Sequence, residues 1–253
     1  MKLHPHFLLI LFLSLLMLDK IIPQDSTLSQ PEIKNYIQFL EKENGKLSEK
    51  ELMNKPLDYI KKIASLRYQA YDKDYISIAR LMKSRKGLGG GTLEAIDKML
   101  GEKVTTLLRV HYLLEMKINS IKTEDYHSNS GITYPRVEIN ASILDIIKGI
   151  NMFKQGDSIT YCYSPELRTT NYRFQLGETV FAAIITADDK NGITDFLFYE
   201  NDKKGEDASY GRYPIENGIL IDRNNVWGYG KSVPWNEFKM KLTQDINNII
   251  TGR

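Results

Sequence analysis

The chain holds a single cysteine, Cys162, so no disulfide can form within it. A hydrophobic core has to hold it together, and 253 residues are enough to build one. Strong charge of either sign is missing too. The formal net charge is +2, which leaves no electrostatic footprint for nucleic acid or an anionic membrane. Histidine is scarce at four, and His4 and His6 stand at the extreme N-terminus, so His111 and His127 alone could serve metal or acid–base chemistry in the body. They lack the i, i+4 spacing that sets two ligands on one helix face. The run Asp188 to Gly192 has no glutamate to close a calcium loop. Neither a metal nor a cofactor is expected, and no fixed-period repeat supports a solenoid.

What is present begins with an address. Lys2 supplies a basic start, and Phe7 to Leu18 (FLLILFLSLLML) is an apolar run of signal-peptide length, short of the ~20 residues a spanning helix needs. Residues 1–24 are therefore expected to direct export, with cleavage before Asp25. The mature chain is then secreted or periplasmic and carries no membrane span. An uncleaved signal anchor is the alternative.

Residues 25–103 read as a helical N-terminal region. Ile33, Tyr36, Ile37 and Leu40 share one helix face, and Asn44-Gly45 ends it. Ser48 and Glu51 make a capping box. Pro56 opens a longer helix with Leu57, Ile60, Ile63, Ala64 and Tyr68 on one face, and a further face follows Asp74. The Gly-rich stretch 87–91, preceded by Arg85 and Lys86, has no Lys-Ser/Thr to close a phosphate loop, so it reads as a link with Thr92 capping a helix through Leu100.

From Val104 to Asn119 apolar and polar residues alternate, which predicts a long strand with one buried face. Val137 to Tyr163 reads as two strands. In the first, the apolar set slips phase between Ile143 and Leu144, the signature of a β-bulge. Val180 to Ile185 is apolar on both faces and reads as a covered central strand. Asn217-Gly218 predicts a type I′ hairpin, with Pro214 placing its first arm at an edge. Trp235, Phe238, Leu242, Ile246 and Ile249 share one face of a closing helix. The expected class is α+β: short helices, then a small, partly open antiparallel OB-like barrel with a C-terminal helix over residues 104–253.

Ile147-Lys148-Gly149, Phe153-Lys154-Gln155-Gly156-Asp157, Phe174-Gln175-Leu176-Gly177-Glu178 and the run from Gly211 through Asn217-Gly218 carry a resemblance. From about Leu107 to Phe238 the chain resembles the OB-like barrel of the netrin-module and tissue-inhibitor-of-metalloproteinases superfamily, in a bacterial, cysteine-poor form. The resemblance implies the barrel. It carries over no inhibitory residue, because the animal inhibitors chelate the protease zinc through an N-terminal cysteine that this chain lacks.

For chemistry, Cys162 is the one thiol, and His111 or His127 would have to be its base. For recognition, Tyr161, Tyr163, Tyr172, Phe174, Tyr199, Tyr210 and Tyr213 could stack on bases, but export and near-neutral charge argue against nucleic acid. Arg212, Trp227 and Tyr229, around the Gly-rich stretch 226–231, are the candidate ligand-binding residues. The expected function is a non-enzymatic binding or interaction module of unidentified ligand, with another exported or envelope protein as a candidate partner. The alternatives are an envelope enzyme using Cys162 and a protease inhibitor acting through loops.

Overall fold

The computed structural model describes residues 30–44, 47–84, 91–127, 133–149, 151–163, 175–189, 192–197 and 211–253. The expected signal segment, residues 87–90 of the Gly-rich stretch and residues 198–210 lie outside the described residues. Helix α1 (Pro31–Phe39) runs on through a π-helical turn, Leu40–Asn44. Helix α2 (Glu49–Met53) starts on the expected capping box: the Glu51 amide donates to Ser48 Oγ, and the Ser48 amide donates to the Glu51 carboxylate at 2.8 Å. Helix α3 (Leu57–Ser84) kinks at Asp74, whose carboxylate accepts the Ser77 amide and hydroxyl at 2.9 and 2.8 Å. Asp74 thus caps the second half, and the second apolar face continues one long bent helix. Helix α4 (Thr92–Leu100) takes Gly91 as its cap at φ 77°, where a Cβ would come within 2.8 Å of the Glu49 backbone. Thr92 is the first helical residue and not the cap.

The strand expected from Val104 begins at Tyr112, because Glu102–Arg109 forms helix α5. Gly101, at φ 92°, turns the chain from α4 into it. Thr105, Thr106, Leu107 and Leu108 are all buried, a block that one strand face cannot supply and that a helix wedged between two apolar surfaces can. From Tyr112 onward the expected set holds, with Tyr112, Leu114, Met116 and Ile118 buried.

Strand β1 (Tyr112–His127) pairs antiparallel with β2 (Thr133–Lys148), and the register skips one residue where Met116 faces Ile143 but Glu115 faces Asp145. Leu144 is the extra residue, so the expected bulge lies where the phase slips. Strands β3 (Ser158–Tyr163), β4 (Thr179–Asp189) and β5 (Gly192–Leu197) follow. The pairings lead from β1 through β2, β3, β5 and β4 back to β1. The one parallel seam, β3–β5, holds two residue pairs, so this OB-like barrel is only partly open along that line. β4 is covered on both faces as expected: Val180, Ala182 and Ile184 fill the barrel, while Phe181 and Ala183 face the helices.

Strand β6 (Arg212–Glu216) turns through Asn217 (φ 51°) and Gly218 (φ 76°) into β7 (Ile219–Ile221), the expected I′ geometry. β6 is not an edge. It gives Arg212–Pro214 to β4 and Ile215–Glu216 to β7, and Pro214 stands at the hand-over between the two ladders. Strand β8 (Ser232–Pro234) leads into helix α6 (Trp235–Thr251), whose buried residues are the five expected ones. One apolar core fills the barrel. A second joins α2–α6 to the outer face of β1 and β4, and a smaller third joins α1 to α3.

Candidate functional site

Two of the three sequence-derived candidates lie inside the protein. Arg212 is 3% exposed, and its Nη2 donates to both oxygens of Glu178 at 2.5 Å. Trp227 is 1% exposed and packs edge-on against Phe181, Tyr213 and Phe238. The loop that delivers it is clamped by buried Asp222, which accepts the Val226 and Trp227 amides at 2.9 and 3.0 Å. Tyr229 is half-buried. Its hydroxyl donates to Asp245, and Lys103 stands over its ring at 4.7 Å. Of the aromatics noted for stacking, Tyr161 and Tyr213 are buried, and Tyr172, Phe174, Tyr199 and Tyr210 lie outside the described residues.

A polar cluster occupies the junction of α3 with the barrel end. Lys148, 4% exposed, donates from Nζ to the carbonyls of Leu107 and Val110 at 2.7 and 2.5 Å, so it closes the C-terminus of α5. Burial pushes its amine down to about 7, against the pull of Asp72, with the Arg67 charge adding to the fall. The next residue, Gly149, sits at φ 97°, where a Cβ would lie 2.7 Å from the Tyr112 ring. His111, stacked on Tyr75, accepts the Thr186 amide on Nδ1 at 2.6 Å. Burial first, then Lys148 and Arg67, hold its imidazole down at about 3. A cavity of about 10 Å³ between Tyr71, Asp74, His111 and Met152 is hardly larger than one water. The cluster joins helix to barrel and has no room for a substrate.

The pH consequence is direct. Between about pH 6.5 and 3 the unfolded chain carries a proton on residue 111 that the folded chain refuses, so this group's share of stability is lost as pH falls. Asparagine can keep the acceptor without titrating. His111→Asn should therefore lose less stability than wild type between pH 7 and pH 4, by up to ~1.4 kcal/mol per pH unit at the steepest point, read from urea midpoints. Parallel losses in the two proteins would contradict this.

A larger cavity lies elsewhere among the described residues. A half-open groove of about 220 Å³ runs between α3, the α4–α5 corner and the end of α6. Ala64, Leu100, Val104, Leu107 and Ile249 form its floor, and Lys61, Lys103 and Arg253 bring positive charge to it. Lys103 is committed to Asp245 at 2.6 Å, the same carboxylate that receives the Tyr229 hydroxyl. Among the described residues, Lys61 and Arg253 form no ion pair. The far wall is fixed by Ser65, whose hydroxyl donates to the Ile250 carbonyl at 2.6 Å, and by Gly252 (φ 68°), which ends α6.

Cys162 forms no disulfide and is 3% exposed in β3, on the strand face opposite Ile159 and Tyr161. His111 turns instead to Tyr75 and Thr186, and the His127 side chain lies outside the described residues. Among the described residues no group of three His, Cys, Asp or Glu is placed to hold a metal ion, and no helix is long and apolar enough to cross a membrane. No protein-family model, curated protein or solved structure matches this chain. Of the groove, the sequence reading reached only its neighbour Tyr229. The available signal was Ala64, a small residue on an otherwise bulky helix face, with Lys61 one turn before it. Lys148 was legible as a lysine inside an apolar run, though its Lys-Gly pair reads as a turn.

Proposed function

We propose that this protein is a non-enzymatic binding module acting outside the cytoplasm, with its ligand seat in the groove between α3, α5 and α6. The groove carries the reading. It has a concave apolar floor with a few convergent polar groups, the usual make-up of a small-ligand site, and its volume lies just below the ~300 Å³ at which drug-sized pockets begin. Export rests on the basic residue and apolar run at the N-terminus. The netrin-like resemblance belongs to this proposal at the level of the barrel, without protease inhibition. Burial of Cys162 gives the thiol-enzyme alternative no support, since reactive cysteines sit in partly exposed, electropositive surroundings.

The test is thermal unfolding of wild type and Val104→Phe in a panel of small aliphatic acids, alcohols and phosphate esters. Val104 is half-buried on the groove floor, so the larger ring fills the seat from its open side. At least one class should raise the midpoint of wild type and leave the variant unmoved. A ligand present at 100 times its Kd stabilises by ~2.7 kcal/mol, well within reach of the method. A panel that shifts neither protein, or both equally, would overturn the seat.

A further inference from the structure

Resting on that reading, we infer that the groove takes an aliphatic monocarboxylate of about six to eight carbons, its tail on the floor and its head toward Lys61 and Arg253. Three observations select this ligand. The first is volume. About 220 Å³ holds roughly seven water-sized groups at ~30 Å³ each, which suits a short alkyl chain, whereas most of a long acyl chain or a peptide would lie outside it.

The second is the lining. Ala64, Leu100, Val104, Leu107 and Ile249 offer no hydrogen bond from their side chains, so the part of the ligand that lies on them has to be apolar, with Asp245 and Asn248 completing the lining. A sugar or a zwitterion would leave polar groups unsatisfied there.

The third is charge. Lys103 is already neutralised by Asp245, which leaves Lys61 and Arg253 as the cations with no ion pair among the described residues. Both attract an anion at the mouth, and the Arg253 guanidinium offers a planar fork that matches a carboxylate. The Asp245 carboxylate also lines the groove, but Lys103 offsets its charge, so the lining as a whole stays positive and favours an anion. A phosphate ester of the same tail shares this anionic head chemistry, and the binding measurements below separate the two.

Titration calorimetry on the full chain tests this with octanoate, octanol and octyl phosphate as probes. Octanoate should bind, and octanol should bind roughly tenfold more weakly, the scale of a pair of partly exposed ion contacts. The double variant Lys61→Gln, Arg253→Gln should lower octanoate to the octanol level and leave octanol unchanged. Both substitutions lie at the rim, away from the apolar cores. If octanol matches octanoate in wild type while Val104→Phe abolishes both, the groove stands and the carboxylate assignment falls. If octyl phosphate binds more tightly than octanoate, the assignment also falls. Octanoate binding that Val104→Phe leaves intact removes the groove itself, and no octanoate binding at millimolar concentration removes the carboxylate.

Discussion

Trp227→Ala should destabilise the protein by about 3–5 kcal/mol, the range for deleting a large aromatic from a packed core. The indole is 1% exposed and meets Phe181, Tyr213 and Phe238 with centroids 5.7 to 6.2 Å away, so its removal opens a space in the middle of a packed aromatic cluster. Natural domains have only ~5–15 kcal/mol in hand, so much of the chain's stability goes with this residue. Its indole N–H has no acceptor among the described residues. Trp227→Phe, which keeps a ring and removes that donor, should therefore be far milder than the alanine variant. Chemical denaturation of both variants separates packing from recognition. A folded Trp227→Ala variant of near wild-type stability would contradict the packing role assigned to Trp227.

The second large effect belongs to Lys148. In Lys148→Met the stem is replaced by a side chain of similar length, and the carbonyls of Leu107 and Val110 lose their donor. At pH 10, where the wild-type amine is neutral in the fold, the variant should be less stable by about 2–5 kcal/mol, one buried acceptor after another left unsatisfied. The gap has to narrow as pH falls. The amine is lowered from 10.5 to about 7 in the folded chain. Between those values the unfolded chain binds a proton that the folded one does not, so wild-type stability rises with pH across this window and is flat below it. Wild type minus variant should therefore grow by ~1.4 kcal/mol per pH unit from about pH 7 toward pH 10.5, read by urea unfolding at several pH values. A difference independent of pH would show that Lys148 stays charged in the fold.

These residues also mark how far the sequence carries. The barrel was legible where a single period ran without competition. The slip at Leu144 fixed a bulge, the both-faces run at 180–185 fixed a covered strand, and Asn217-Gly218 fixed a turn. The five apolar positions of α6 were legible for the same reason. Reading failed at Val104–Leu108, where Val-Thr-Thr-Leu-Leu fits a strand by propensity and becomes helix because it lies between two apolar layers. It failed again at Trp227 and Arg212. Glycines around an aromatic look like a surface loop until Asp222 is seen to fold that loop inward. The groove was hidden for a different reason. Lys61, Val104 and Ile249 are separated by most of the chain, and only the packing of α3, α5 and α6 brings them together. A local pattern reports a face but not what that face meets.

The reading of this protein as a binding module stands on that meeting point, and one measurement addresses it without mutation. Amide chemical shifts should be followed by NMR while octanoate is titrated into the full chain. The proposal predicts saturable changes concentrated on 60–66 in α3, 100–107 at the α4–α5 corner and 245–253 at the end of α6, with the barrel strands unmoved. Changes centred on the barrel would contradict the groove as the seat, and no changes at millimolar octanoate would contradict the carboxylate assignment.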